Sequence, residues 1–203
     1  MISLDNLLIV GSHFYDKKDY ETSLQIYLEA NKIQPDNPII LSNIGSAYNG
    51  LNNFEEALKY LTKAHEIQPN DPTVINNIGS AYNGLNNFEE ALRYLNIANE
   101  MQPKHPTVLN NIGTAYNGLN NPEEALKYLT KAHEIQPNNP FVYKNMASSY
   151  RLMDDKNKAT DNLKLSLTYL ERRGKGIAKK HKPLFLKISK EFKNLGLNVK
   201  DYM

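Results

Sequence analysis

The segment from Asn43 to Pro69, NIGSAYNGLNNFEEALKYLTKAHEIQP, decides the fold, because the chain repeats it at intervals of 34 residues. Residues 43–58 recur letter for letter at 77–92, and residues 55–70 recur at 123–138. A period of this length is typical of stacked supersecondary units, each of which buries its apolar face against its neighbours. The sequence therefore predicts a tandem array, and its function should lie in what the repeats display together.

Two sets of prolines fix the register of the repeat. The first set is Pro35, Pro69, Pro103 and Pro137, and the second, three residues later, is Pro38, Pro72, Pro106 and Pro140. The first proline cannot continue the preceding helix, whereas proline directly after Asn or Asp is typical of a helix start. Asn37, Asp71 and Asn139 precede the second set in three repeats, and His105 does so in the fourth. Each unit is predicted to open with a helix at its second proline.

The apolar residues within a unit follow helical spacing in two runs. The first run is Leu41, Ile44, Ala47, Tyr48 and Leu51, and the second, which we expect to be buried, is Ala57, Leu58, Leu61, Ala64 and Ile67. Asn52 and Asn53 separate the runs, and Asn is favoured in turns because it tolerates the left-handed conformation. Asn53 followed by Glu56 resembles a capping box at the start of the second helix. Each unit is therefore predicted to be a helix hairpin.

These spacings resemble the tetratricopeptide repeat. The unit from Pro38 matches the family's signature at eight positions: Leu41, Ile44, Gly45, Tyr48, Ala57, Leu61, Ala64 and Pro69. Units 72–105 and 106–139 match at the same positions, unit 4–37 departs at Ser23, and unit 140–173 is degenerate at Ser166 and Glu171. The small residues have a steric reason, because Gly45 and Ala57 fall where the two helices of a hairpin approach most closely. The resemblance implies an all-α, right-handed superhelical solenoid of antiparallel helix hairpins over residues 4–171.

The end of the chain differs in charge. Residues 1–171 hold 14 Lys and Arg against 20 Asp and Glu, whereas residues 172–203 hold 10 against 2. Residues 172–176 read as a linker, and an amphipathic helix is predicted from Pro183, with Leu184, Phe185, Ile188, Phe192 and Leu195 on one face. A solenoid needs a terminal cap, so we interpret residues 174–203 as a basic C-terminal capping helix and tail. The alternative is that this tail binds an anionic partner such as nucleic acid or lipid headgroups. Apart from the tail, the sequence gives no reason to expect nucleic acid as a partner.

The sequence holds no catalytic constellation. The chain has no Cys, which removes thiolate nucleophiles and metal sites and fits a reducing compartment. His65 and His133 are copies of one repeat position, so they should not converge on a metal ion or a substrate. The apolar run Leu7 to Val10 is too short for a signal peptide or a membrane span. We therefore expect a cytoplasmic, non-enzymatic protein without cofactor or metal.

The resemblance implies that one face of each first helix lines the concave side of the superhelix. Four positions of the repeat supply the expected peptide-binding residues: Asn43, Asn77, Asn111 and Asn145 at position 6, Asn76, Asn110 and Lys144 at position 5, Ser46, Ser80, Thr114 and Ser148 at position 9, and Arg151 at position 12. A side-chain amide offers an acceptor and two donors, which suit the C=O and N–H of a peptide group. The row Asn43, Asn77, Asn111, Asn145, here called the asparagine ladder, is therefore predicted to hold an extended peptide or partner segment in the groove.

Other interpretations remain open beside the ladder. Some of its members could simply be solvated, and Asn49, Asn83 and Asn117, which precede Gly, are interpreted as turn residues. The basic clamp that binds C-terminal carboxylates in chaperone-binding relatives is absent, although Lys144 and Arg151 are spaced to receive an acidic group. Near-identical repeats can also stack between chains, so a self-assembling, end-to-end structural oligomer is the alternative function.

Overall fold

The computed structural model describes residues 3–172, 182–198 and 200, and all of its regular structure there is helical. The chain forms two compact units, residues 1–102 and 103–203. The first unit contains α1 (Leu4–Asp16), α2 (Tyr20–Ile33), α3 (Pro38–Gly50), α4 (Phe54–Ile67), α5 (Pro72–Gly84) and α6 (Phe88–Met101). The second contains α7 (Pro106–Gly118), α8 (Pro122–Ile135), α9 (Pro140–Leu152), α10 (Lys156–Arg172) and α11 (Lys182–Asn194). Helices α1 to α10 pair in order as five hairpins, each with a first and a second helix.

The first helices of repeats two to five begin where the proline register predicts. Their N-terminal N–H groups lack partners within the helix, and the side chain before the proline accepts from them. Asn37 Oδ1 accepts from the N–H of Ile39 at 2.9 Å, and Asp71 Oδ1 accepts from that of Thr73 at 2.8 Å. His105 makes no such bond. Three of these four helix starts are therefore capped by the residue type that the sequence indicated.

The turn inside each hairpin places one residue in the left-handed region. Asn52, Asn86 and Asn120 have φ of 60°, 60° and 56°, and Asn adopts this conformation more readily than most other residues. The next Asn caps the second helix in two repeats, where Asn87 and Asn121 accept from Glu90 N and Glu124 N. The prediction of a cap at Asn53 was wrong, since its side chain makes no capping hydrogen bond. There the helix begins without that contribution.

Close approach of the paired helices explains the small residues of the repeat. A Cβ at Gly45 would lie 2.5 Å from Leu61 Cγ and 3.1 Å from the carbonyl oxygen of Ala57. Gly79 and Gly113 meet the equivalent Leu and Ala residues of their own hairpins at almost the same distances. A side chain at these positions would therefore force the helices apart, at a cost of about 1 to 3 kcal/mol.

The apolar core repeats with the sequence. Ala57, Leu61 and Ala64 are fully buried, as predicted, and a stacked tyrosine pair seals each of the three central hairpins at ring-centroid distances of 5.6 to 5.7 Å. The prediction that Ile67 is buried was wrong, because it is 47% exposed in the last turn of α4. It lies beyond the contact with the neighbouring helices, near the loop that leads to the next repeat. Its equivalents Met101 and Ile135 are exposed for the same reason.

The last hairpin is closed by α11. Leu184, Ile188 and Phe192 are buried on one face of α11 and pack in a cluster with Leu163, Leu167, Leu170 and Ala147. Ser166, which breaks the repeat signature, is buried and donates to the carbonyl oxygen of Pro140 at 2.7 Å. The predicted linker overlaps α10 at Arg172, which is the last residue of that helix, and its other residues lie outside the described ones.

Candidate functional site

The predicted binding residues lie on the first helices, at repeat positions 5, 6 and 9. In the first unit Asn77 on α5 is half-buried and faces α3. Its Nδ2 donates to Ser46 Oγ at 2.8 Å, and its Oδ1 accepts from Asn76 Nδ2 at 3.3 Å. Asn76 is 8% exposed, and Ser46 Oγ donates to the carbonyl oxygen of Ser42 at 2.8 Å. The ladder amide is thus tied to the preceding repeat through the hydroxyl of position 9.

The same contact recurs in the second unit. Nδ2 of Asn145 on α9 donates to Thr114 Oγ1 on α7 at 2.9 Å and to Asn110 Oδ1 at 2.9 Å. Its Oδ1 accepts from the Lys144 ammonium at 3.3 Å. Both N–H bonds of this ladder residue are therefore used within the protein. The structure thus brings together four predicted site residues, Asn110, Thr114, Lys144 and Asn145.

Asn49 and Asn117 are helical residues that join consecutive repeats, so their interpretation as turn residues was wrong. Asn49 Nδ2 donates to the main-chain oxygen of Asn77 at 2.9 Å, and Asn117 Nδ2 donates to that of Asn145 at 2.9 Å. Asn83, the third of the set, also lies inside its helix, α5. The turns instead use the Asn three residues later, because the helix continues through Gly50 and its equivalents. Asn49 and Asn117 thus link the first helices of consecutive repeats.

The network leaves some hydrogen-bonding capacity along this face. A carboxamide oxygen has two lone pairs, and one of those on Asn77 Oδ1 and one of those on Asn145 Oδ1 are used by the neighbouring side chain. Asn43 is half-buried and makes no hydrogen bond through its side chain within the described residues. At Asn77 and Asn145 the structure therefore leaves one lone pair of the carboxamide oxygen, rather than the complete pair of bonds that the sequence suggested, and Asn43 adds its amide.

The face is almost uncharged until the last repeat. Ser80, Asn110 and Asn111 are half-buried, whereas Ser148 on α9 is buried. Lys144 and Arg151 introduce positive charge on α9, and Arg151 Nε donates to Glu191 Oε2 on α11 at 3.0 Å. Burial lowers the pKa of the Lys144 ammonium, and the nearby Glu191 carboxylate opposes that effect. The acidic group that Lys144 and Arg151 were expected to receive is thus present within the chain.

Sequence reasoning missed two contributors to this region. Ser149 Oγ donates to Asn117 Oδ1 at 2.8 Å, and Glu191 meets Arg151. The signal for Ser149 was available, because repeats two to four have Ala at this position, in Ala47, Ala81 and Ala115. The pairing of Glu191 with Arg151 spans 40 residues and has no local pattern that would reveal it.

Within the described part of the chain, no group of three or more acidic or His residues is placed to hold a metal ion. His65 and His133 lie on α4 and α8 beside tyrosine rings, with centroid distances of 6.4 Å to Tyr94 and 5.2 Å to Tyr143. Among the same described residues, no helix combines the length and apolar character needed to cross a bilayer. What the face offers chemically is hydrogen bonding by uncharged side chains, with two cations, Lys144 and Arg151, on its last helix.

Solved structures with this fold were found by comparison of coordinates. The thermophilic TPR protein TTC0263 of Thermus thermophilus has a TM-score of 0.75 at 20% identity, over 94% of this chain and 99% of its own. MamA 41-end from Desulfovibrio magneticus RS-1 has a TM-score of 0.64 at 18% identity, over 84% and 96%. Another MamA crystal structure gives 0.61 at 18%, over 86% and 96%. At these identities the likeness shows the fold alone.

Family models match consecutive parts of the sequence. Models described as tetratricopeptide repeat match residues 38–71, 106–139 and 72–105, and one described as TPR repeat matches residues 11–51. No curated protein sequence shows significant similarity to the chain. Proteins built from this repeat are generally non-enzymatic scaffolds for protein–protein interaction. From the matched models and the helical hairpins together, the chain belongs to the tetratricopeptide repeat family.

Proposed function

We propose that this protein is an adaptor that holds an extended segment of a partner protein along the face of its first helices, with the asparagine ladder as the main contact. The proposed interaction domain comprises residues 4–171, with residues 174–203 as a capping helix and tail. Zero Cys supports a reducing compartment such as the cytoplasm as its location.

One observation carries this proposal: the ladder amides are oriented by the repeat before them. Ser46 fixes Asn77, and Thr114 fixes Asn145, so neither side chain has to be ordered when a partner binds. A fixed acceptor loses less conformational entropy on binding than a mobile one. Because Asn77 and Asn145 stand at the same repeat position and carry no charge, they suit the main chain of a partner better than any particular side chain.

The unused lone pairs of Asn77 Oδ1 and Asn145 Oδ1 define the proposed contact more narrowly. Carboxamide oxygens accept from N–H groups, so the ladder should bind the N–H groups of the partner backbone. The C=O groups of the partner backbone should instead accept from donors such as Asn43 Nδ2. Each such bond contributes about 0.5 to 1.5 kcal/mol net. Affinity must then be a sum over several repeats, with the side chains at position 9 biasing the choice of sequence.

The test uses a displayed library of random 12-residue peptides, from which binders are selected on the intact chain and measured by calorimetry. We expect Asn43→Ala alone to weaken the best peptide by about 2- to 10-fold, which corresponds to the loss of one hydrogen bond. The triple variant Asn77→Ala, Asn111→Ala, Asn145→Ala should abolish binding. N-methylation of alternate peptide bonds of the same peptide should weaken it as strongly, because that removes N–H donors without changing side chains.

The matched control changes three exposed asparagines that lie away from the face, Asn70, Asn96 and Asn138, to Ala. This variant should bind as the unaltered chain does. Circular dichroism of each variant separates loss of contact from loss of fold, which matters because Asn77 and Asn145 also join repeats. Equal affinity of all variants for the selected peptide would refute the ladder.

A second candidate function is self-assembly, which one observation favours. Val10 on α1 is 43% exposed, although its equivalents Ile44, Ile78 and Ile112 are buried, and its neighbour Ile9 is 68% exposed. This edge of α1 is apolar, so it offers a surface on which a second copy of the chain can stack. The third possibility, binding of an anionic partner through residues 172–203, rests on their charge, and Lys187, Lys190 and Lys193 of α11 are exposed.

A further inference from the structure

Helix α11 packs mainly on α10 and reaches the edge of the interaction face on α9, where Glu191 meets Arg151. Its buried residues Leu184, Ile188 and Phe192 pack in the cluster that includes Ala147 of α9 as well as residues of α10. On α9 the ladder residue Asn145 and the position-9 residue Ser148 are each 8% exposed. Their equivalents in the other repeats, Asn43, Asn77, Asn111, Ser46, Ser80 and Thr114, are all half-buried. Asn145 and Ser148 are therefore the least exposed residues at their repeat positions, and they share α9 with Arg151, which α11 contacts through Glu191.

Helix α11 also supplies a negative charge, that of Glu191, beside the cations of α9. Glu191 is the single acidic residue in the segment KPLFLKISKEFKN, and its side chain is 16% exposed. Its carboxylate accepts from Arg151 Nε at 3.0 Å and lies close enough to Lys144 to favour that residue's charged form. Without Glu191, the cations of Lys144 and Arg151 would be left near each other and near Lys187 with no opposite charge.

A cap alone does not require this arrangement. A terminal cap needs an apolar inner face and a polar outer face, which the buried apolar residues and the exposed lysines of α11 already provide. The Arg151–Glu191 pair adds little to stability, because the Arg151 side chain is 37% exposed and desolvation of the less exposed Glu191 offsets part of the attraction. Such a pair instead specifies which helix fits and in what register. Helix α11 therefore has the features of a bound ligand.

We propose that the face of α9 around Arg151 and Lys144 is a binding site for an amphipathic helix that carries a carboxylate, and that α11 occupies this site within the same chain. The inference rests on the proposed function, since it names the partner class for the last repeat of that same face. The ligand has apolar residues at i, i+4 and i+8, as Leu184, Ile188 and Phe192 are spaced, and an acidic residue at i+7, as Glu191 is.

Occupation within the chain sets the conditions for a partner. A tethered helix is present at a high effective concentration, so it outcompetes a free helix of equal intrinsic affinity. A partner of the stated class must bind this site more tightly than α11 does, or act when α11 is weakened. The last repeat is thus closed to weak binders, while the earlier repeats stay accessible.

The test supplies α11 from outside to the full-length chain. In the variant Glu191→Lys with Phe192→Ser, the tethered helix loses its carboxylate and its largest buried side chain, and it should leave the site. A fluorescent peptide of residues 182–198 should then bind this variant at least tenfold more tightly than it binds the unaltered chain. The same peptide with Glu191→Gln should bind the variant at least tenfold more weakly than the native peptide does. Equal binding of both peptides, or no binding of either, would overturn the proposal.

A second measurement covers the case in which the double variant does not fold. Glu191→Gln alone should speed the hydrogen exchange of α11 amides at least tenfold while leaving that of α7 and α8 unchanged. Glu134→Gln, an exposed position on α8 with the same change in charge, should leave α11 exchange as it is. If Glu191→Gln likewise leaves the exchange rate of the α11 amides unchanged, the carboxylate does not hold the helix, and the proposal is wrong.

The outcome is independent of the ladder test. The α11 peptide reports on Arg151, Lys144 and Glu191, whereas the selected 12-residue peptides report on the asparagines. If the α11 peptide test fails while the ladder test succeeds, only the proposal for α11 is refuted. The reverse pair of results removes the ladder and leaves a helix-binding site on the last repeat.

Discussion

Tyr15, near the end of α1, shows how burial of one side chain affects stability. Burial, reinforced by Tyr20, Tyr27 and Asp16, raises the pKa of its hydroxyl to about 12. In the unfolded chain the hydroxyl ionises at its ordinary pKa of 10.0, so the folded state disfavours the charged form. The contribution of Tyr15 to the free energy of unfolding is therefore complete below pH 10. About 2 kcal/mol of it is lost as the pH rises toward 12.

We expect Tyr15→Phe to reduce the alkaline loss of stability. The free energy of unfolding, measured in urea, should fall between pH 9 and pH 11.5 in both proteins. The fall should be smaller in the variant. Part of the fall should remain in both, because burial also raises the pKa of Tyr20, Tyr27, Tyr48, Tyr82 and Tyr116. Parallel curves for the two proteins over this range would contradict the assignment to Tyr15.

Asparagine performs four different tasks in this chain. Asn37 caps a helix, Asn52 takes the left-handed turn, Asn49 binds a main-chain oxygen of the next repeat, and Asn77 binds a hydroxyl of the previous one. The first two tasks are local, and the sequence predicted them from the neighbouring Pro and Asn. The other two depend on a residue 28 or 31 positions away, so the sequence misassigned Asn49 and Asn117.

At the scale of the helix, Asn49 on α3 and Asn117 on α7 donate to the main chain of the next repeat in the same way, but only one of their side-chain oxygens has a partner. Ser149 on α9 satisfies the side-chain oxygen of Asn117, whereas Ala81 stands at the equivalent place on α5. The side-chain oxygen of Asn49 is consequently buried without a hydrogen-bond partner. A buried acceptor without a partner costs about 1 to 3 kcal/mol.

We expect Ala81→Ser to stabilise the chain by about 1 kcal/mol, because its hydroxyl can donate to Asn49. The reverse change, Ser149→Ala, should destabilise the chain by about 1 to 3 kcal/mol, since it leaves the oxygen of Asn117 unpaired. Both effects are measured as free energies of unfolding in urea. In an Asn49→Ala background the gain from Ala81→Ser should vanish, and a gain that persists there would assign it to another cause.

Helix α11 illustrates what an amphipathic pattern does and does not predict. The pattern predicted a helix near Pro183 and its buried face, and the structure has Lys182–Asn194 with Leu184, Ile188 and Phe192 buried. It did not predict that the helix would lie on α9 and pair Glu191 with Arg151. Apolar spacing defines which side of a helix is buried, and the surface that receives it is a tertiary property.

At the scale of the whole molecule, the apolar edge of α1 decides between an adaptor and an assembly. We expect light scattering to give the monomer mass of 23.2 kDa across a concentration series up to tens of micromolar, because exposure of Ile9 and Val10 alone is a small apolar area. A mass that grows with concentration would favour self-assembly instead. Changing Ile9 and Val10 to Lys should then restore the monomer mass, and Ile97→Lys on α6, also exposed, is the matched control.

The sequence by itself determined the repeat, the helix hairpins, the caps before the second prolines at Asn37, Asp71 and Asn139, and the small residues at the helix contacts, because each of these depends on residues within one 34-residue period. The tertiary structure alone decided which asparagines bind the protein's own repeats, which lone pairs stay open, and that Glu191 fills the basic end of the face. Hydrogen bonds and ion pairs between distant residues depend on distances of a few tenths of an ångström, and only the packing of consecutive helices sets those distances.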